Sequence, residues 1–255
     1  MTGCSVLASL GGASGALTIG ALDTAVTENF DTLASSGTSS VTPNGWFFLE
    51  TGTAANTTYT AGNGSGNAGE TYSFGTTGSS ERAFGGLLSG SLTPILGAQI
   101  QNASGSTINS LIISYYGEQW RLGASGRADK LDFQYSVDAT SLTTGSWTDL
   151  DALDFTAPKS TGTAGALDGN LAANRALVSA TVSALSIADG ATIWIRWNDF
   201  NATGADDGLA IDDFSIAAKG AEAVVPEPST YLAGLLLALP FGVHGVRYLR
   251  NRKRA

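Results

Sequence analysis

Cysteine and histidine are nearly missing from this chain of 255 residues, which carries one of each, Cys4 and His244. A single cysteine forms no intrachain disulfide and no thiolate metal cluster. With the one histidine close to the C-terminal end, the body of the chain lacks a Cys/His dyad, a Ser/His/Asp triad and most ways of holding zinc. Charge is thin as well, at 14% of residues, and basic charge thinner still: eight bases stand against twenty-one acids before residue 225. So acidic a body excludes nucleic acid as a partner, because neutralising phosphates takes a basic face. It leaves carboxylates available for a hard cation such as calcium. No heptads, no fixed repeat and no long helical pattern precede residue 230.

What the chain does have is glycine, 33 residues of it, with abundant Ser and Thr between recurring apolar and aromatic blocks. This is the composition of short strands joined by many turns, and the periodic blocks argue against disorder. In "KLDFQYSVD" Leu131, Phe133, Tyr135 and Val137 share one face; in "TIWIRWNDF" Ile193, Ile195 and Trp197 do, with Trp194 and Arg196 opposite. "SLIISYYGEQWRL", "NRALVSATVSAL" and "GLAIDDFSIA" read the same way. Residues 51–70 read as turns, and the glycine runs at 62–66 and 84–86 as loops without the helix or lysine of a phosphate cradle. Strands with one apolar face must bury it against a second sheet. The predicted fold is therefore all-β, a two-sheet antiparallel sandwich over residues 27–218, with a jelly roll as the economical architecture.

The two ends differ from the body. Residues 1–26 are small and apolar without a preceding Lys or Arg, and read as a degenerate or truncated leader. At the other end, residues 219–230 form a linker containing Pro226-Glu227-Pro228, residues 231–246 are apolar, and residues 247–255 hold Arg247, Arg250, Arg252, Lys253 and Arg254. At about 1.5 Å per residue the apolar run reaches roughly 24 Å, short of a hydrocarbon core near 30 Å, and the flanking arginines can snorkel to make up the difference. The expectation is a single transmembrane helix with a basic cytoplasmic end. A buried C-terminal helix of the fold is the alternative, and the basic cluster speaks against it.

The order Pro-Glu-Pro, short apolar helix, Arg-rich terminus resembles the PEP-CTERM sorting signal of Gram-negative exosortase systems. That resemblance covers residues 225–255. It implies an exosortase partner, transient anchoring in the inner membrane, removal of the helix, and delivery to the cell envelope or an exopolysaccharide matrix. Within the body, "ENFDTLASSG", "TPNGWFF" and "DDGLAIDDFSI" look like the opening and closing strands of bacterial extracellular jelly-roll modules of the carbohydrate-binding and concanavalin-like group. This second resemblance implies a sandwich that binds a glycan or a surface.

Three constellations could carry chemistry. Asp206, Asp207, Asp212 and Asp213 crowd into eight residues, where their charges repel unless solvated or bound to a cation. Calcium-bound jelly rolls pair an acid of the first strand with one of the last, which points to Glu28 or Asp31 opposite Asp212 or Asp213. The plain alternative is a solvated turn. Trp120, Trp194 and Tyr116 are the aromatics best placed by sequence to stack on a sugar, with core packing as the competing role. Glu118 is the acid best suited to glycosidase chemistry, with Asp132 or Asp199 as partner. A strand-face ion pair of Glu118 with Arg121 or Arg196 is the preferred reading, so no catalytic residue is assigned. The function expected is a non-enzymatic envelope or matrix protein, and the alternative is a glycan-active hydrolase on the same scaffold.

Overall fold

In the computed structural model the described residues are 11–12 and 15–221. All but the last belong to one compact unit, Met1–Gly220. The Pro-Glu-Pro motif, the apolar run and Arg247, Arg250, Arg252, Lys253 and Arg254 lie outside the described residues, as does Cys4. Among the described residues no helix is long and apolar enough to cross a membrane.

In chain order the strands begin with β1 (Gly11–Gly12), β2 (Leu17–Ile19), β3 (Ala25–Glu28), β4 (Thr38–Ser39), β5 (Trp46–Thr51) and β6 (Tyr59–Gly62). They continue with β7 (Glu70–Phe74), β8 (Ala83–Leu87), β9 (Thr93–Asn102), β10 (Ser110–Leu122) and β11 (Lys130–Ser136). The set closes with β12 (Thr148–Asp149), β13 (Phe155–Thr156), β14 (Gly165–Ala166), β15 (Arg175–Val182), β16 (Thr192–Asp199) and β17 (Gly208–Lys219). A 3₁₀ turn, Asp151–Leu153, is the one helical element among the described residues.

These strands make two sheets. The first runs β1-β5-β9-β16-β11-β12, with β13 on β11 and β2 on β9. The second runs β14-β10-β17-β8-β7-β6-β4, with β15 on β10 and β3 on β17. Most pairs are antiparallel as expected, but β2–β9 and β6–β7 are parallel. The sandwich also reaches ahead of residue 27, since Leu17 and Ile19 of β2 are buried.

Between the sheets lies one core. Trp46, Phe48, Phe133, Ile195 and Trp197 come from the first sheet, and Phe84, Leu111, Ile113, Tyr115, Leu209, Ile211 and Phe214 from the second. Trp197 takes Tyr115, Phe133 and Phe214 edge-on, at ring-centre distances of 5.3, 5.2 and 6.1 Å. Burying each such side chain stabilises by about 1.5–3 kcal/mol, which is what two sheets of modest hydrogen-bonded edge need.

The period-two faces hold along β11 and β16, where Leu131, Phe133, Ile193, Ile195 and Trp197 all point into the core. Val137 does not join them: β11 ends at Ser136 and Val137 is 61% exposed. The 84–86 glycines are a second departure, being part of strand β8 rather than a loop. A Cβ on Gly85 would stand 2.0 Å from the Leu209 carbonyl oxygen, and one on Gly86 would meet the Pro94 ring at 2.5 Å. Glycine is there because backbone and ring approach the strand from both sides. Residues 51–70 are mostly turns but contain β6.

One irregularity positions the site. Ser114 pairs with Ser215 and Tyr116 with Asp212, so one residue of β10 faces two of β17. Asp213 occupies the bulge with φ +48°. Leu209 and Ile211 are inward before it, and Phe214 and Ile216 after it. The extra residue re-phases the strand and leaves Asp212 on the outer face.

Candidate functional site

The outer face of the second sheet carries its own apolar cluster, Tyr72, Phe74, Ala83, Leu87, Trp120 and Ala210, separate from the main core. Tyr72 stacks on Phe74 at 4.9 Å, and Phe74 on Trp120 at 5.9 Å with the rings 4° from parallel. Two loops close over this row. Gly64 sits so near the Trp120 carbonyl that a Cβ would lie 1.8 Å from its oxygen, and Gly169 would bring one within 2.4 Å of the indole nitrogen. The second loop, Asp168–Asn174, is pinned to β10 at both ends: Leu167 N–H donates to Trp120 O and Gln119 N–H to Asn174 O, both at 2.8 Å.

Toward the Tyr72 end of the stack opens a cleft of about 420 Å³, lined by Asn63, Ser65, Thr76 and Thr77 together with the nearly buried Tyr72 and Phe74. Arg82, whose guanidinium donates to the Ser73 hydroxyl at 2.8 Å and to the Ser73 carbonyl, fixes its base. No Asp or Glu is among the described residues lining it.

At the other end of the stack the Trp120 indole N–H donates to Glu118 Oε2 at 3.0 Å. Here three carboxylates converge: Glu118 of β10, Asp212 of β17 and Glu81 just before β8 each place an oxygen within 4.8 Å of those of the other two. Glu118 is 0% exposed and Asp212 4%. Asn170 of the covering loop donates to Glu81 Oε2 at 2.5 Å. Burial, reinforced by the neighbouring carboxylates, pushes the Asp212 carboxyl up to about 9 and that of Glu118 up to about 7. These three residues could hold a cation.

Glu118 has its ion pair with Arg175, directly across the β10–β15 ladder at 3.6 Å, and not with Arg121 or Arg196. Arg121 donates instead to the Gly64 and Ser65 carbonyls, and Arg196 to Gln134 Oε1 and the Leu142 carbonyl. Neither expected carboxylate partner joins Glu118. Asp132 is ion-paired with Lys130 on the first sheet, and Asp199 is buried with its Oδ2 accepting from Leu88 N–H at 3.0 Å.

The other expected metal ligands separate. Asp212 is turned by the bulge toward Glu118 and Glu81 and away from Glu28. Glu28 and Asp213 line one shallow surface depression where β3 meets β17. Glu28 Oε1 is occupied by Phe30 N–H at 2.9 Å, and both Asp31 oxygens accept hydrogen bonds, from Arg82 N–H and the Asn29 amide. Asp207 accepts from Gly123 N–H at 2.7 Å and Gln119 Nε2 at 2.8 Å, which leaves neither oxygen free. It belongs to a second acidic group with Asp129, which Arg127 partly neutralises.

Of the three aromatics expected to form a sugar platform, the two tryptophans are buried and Tyr116 is partly exposed. Trp120 is 0% exposed within the stacked row, and Trp194 is 3% exposed among Leu49, Ile95, Ala139 and Leu142. Tyr116 has the Arg175 guanidinium over its ring at 4.3 Å. Outward-facing strand positions are covered here by loops, which sequence alternation alone does not reveal.

No protein-family model matches the sequence, and no curated protein does. Among solved structures the chain is similar to the enzymatically active domain of a tailspike protein of bacteriophage CBA120, at 9% identity and TM-score 0.36, over 69% of this chain and 19% of that one. It is similar to the K3 cleaved adhesin domain of Lys-gingipain from Porphyromonas gingivalis at 12% identity and TM-score 0.36, over 56% of this chain and 78% of that one. A family 35 carbohydrate-binding module from Clostridium thermocellum matches at 11% identity and TM-score 0.28, over 59% and 88% of the two chains.

Proposed function

We propose that this chain is an exported, non-enzymatic jelly-roll module that binds a glycan in the cleft beside Tyr72 and is sorted through its C-terminal segment to the envelope or matrix of a Gram-negative bacterium. The cleft carries the reading. Its volume lies within the roughly 300–1,000 Å³ of small-molecule sites, and its open side is a rim of hydroxyls and an amide above the nearly buried Tyr72 and Phe74. A sugar offers the complementary surface, a ring edged with hydrogen-bonding hydroxyls.

Hydrolysis needs two carboxyls flanking the scissile bond. No Asp or Glu is among the described residues lining the cleft, which favours binding over hydrolysis there, with a glycan-active hydrolase as the alternative. The order of Pro226-Glu227-Pro228, apolar run and basic terminus supports the sorting part, with exosortase as the processing partner.

Thr77 is exposed on the rim, so Thr77→Trp should fill the cleft without disturbing the core. The expected result is loss of retention on the host exopolysaccharide, or on the hits of a glycan array, with the melting temperature within about 2 °C of the parent, since surface changes stay within about 0.5 kcal/mol. Undiminished retention of Thr77→Trp would rule this cleft out.

A further inference from the structure

We propose that Glu81, Glu118 and Asp212 form a calcium site on the outer face of the second sheet, distinct from any clamp between the first and last strands. Each of the three carboxylates keeps one buried oxygen without a hydrogen bond: Glu81 Oε1, Glu118 Oε1 and Asp212 Oδ1. The partner oxygens of Glu81 and Glu118 are already held, by Asn170 and by the Trp120 indole. A buried carboxylate oxygen left unpaired is destabilising, and three at one point are a cost without return unless something bridges them.

Charge and distance name what fits. With all three acids ionised, as a bound cation would keep them, the carboxylates face one guanidinium, Arg175, whose nearest nitrogen stands 3.6 Å from Glu118 Oε1. Two negative charges are thus left over, the charge of one divalent cation. Oxygens within 4.8 Å of one another can share an ion at calcium's bond length of about 2.3–2.6 Å, and calcium's loose geometry asks less of the surrounding protein than magnesium's octahedron. An all-oxygen set without His or Cys favours calcium over zinc as well. Waters entering past Glu81, the least buried of the three, would complete the shell. The ion would tie together β10, β17 and the segment entering β8, three pieces far apart in sequence.

Trp120 makes the site directly readable, because its indole touches a ligand carboxylate. Terbium(III), a luminescent stand-in for calcium, should show several-fold tryptophan-sensitised emission with the full chain, and calcium should compete it away. Trp120→Phe should lose most of that emission, which ties the signal to this site and not to another tryptophan. Glu118→Gln and Asp212→Asn should lose both that emission and the rise in melting temperature that calcium gives the parent, and in chelator each should melt above the parent, since carboxylate repulsion is gone. That last result guards against variants that merely fail to fold. A parent protein with the same melting temperature in calcium and chelator overturns the proposal. So does a calcium response that survives Glu118→Gln but vanishes in Glu28→Gln, which would place the ion where β3 meets β17. None of these readouts involves a glycan, so failure here and failure of the cleft are told apart.

Discussion

Glu70 illustrates how a single half-buried acid makes this molecule sensitive to pH. It lies against Glu50, whose two oxygens accept from Thr71 N–H at 2.8 Å and Asn56 N–H at 2.9 Å. Burial first, and then the hydrogen bond and charge of Glu50, push the Glu70 carboxyl up to about 7. A raised acid means the folded state holds its proton more tightly than the unfolded chain does. Its contribution is full below about 4.5 and is lost as pH rises through about 7. The whole shift would amount to some 3 kcal/mol, but Glu70 is only half-buried, and solvent screening reduces it to about 1 kcal/mol. Glu70→Gln should therefore raise the melting temperature by about 2–4 °C at pH 8 and leave it nearly unchanged at pH 4.5. An equal shift at both values would show that the carboxyl pair is not titrating.

At the scale of the element, β17 is decided by one residue. Asp213 sits in the left-handed region at φ +48°, where a non-glycine residue costs about 1–2 kcal/mol. Asp213→Gly should stabilise by roughly 0.5–1 kcal/mol in chemical denaturation. Deleting Asp213 should abolish folding, because Phe214 and Ile216 would then turn out of the core, each at the cost of about 2–5 kcal/mol that a large core truncation carries. A deletion variant that keeps a cooperative transition would mean the strand can slip.

The regular alternation expected of this segment missed the re-phasing, though its trace is in the residues. In "GLAIDDFSIA" the apolar positions change parity between Ile211 and Phe214, and only an inserted residue reconciles the two halves. The alternation of "SLIISYYGEQWRL" marks out β10 to the residue. By contrast β6 and β8 have no clear alternation, because Gly62, Gly85 and Gly86 answer to neighbouring backbone and rings that only the folded chain brings near. The carboxylate site was half legible. Asp212 and Glu118 stand out as acids on apolar strands, but Glu81 lies in a polar loop, "TTGSSERAF", where an acid is unremarkable until β8 docks on β17. The cleft was missed for a similar reason: its lining comes from β7 and from turns either side of it, which meet only in the folded chain.

For the whole molecule, the contrast between an acidic body and a basic end is the feature with consequences in the cell. Changing Arg250, Arg252, Lys253 and Arg254 together to Ser removes most of the positive charge expected to hold the terminus on the cytoplasmic side. Fractionation should find the variant poorly retained in the inner membrane, and mass spectrometry should find the tail unprocessed. A mature product of ordinary mass and location would remove the sorting proposal while leaving the glycan cleft untouched.

The place of β17 within its sheet has a mechanical meaning. The last strand of the sandwich is not at an edge: β10 runs along one side of it, while β8 and β3 divide the other, meeting on either side of Asp212 and Asp213. A pull applied where the chain leaves at Lys219, along the strand axis, loads both ladders in shear. Their hydrogen bonds then share the tension and must yield together, where an edge strand would peel away one bond at a time. Forced opening is set by the unfolding rate. A module held at a surface by this end would keep its fold under drag, and would grip whatever fills its cleft for as long as that strand stays seated.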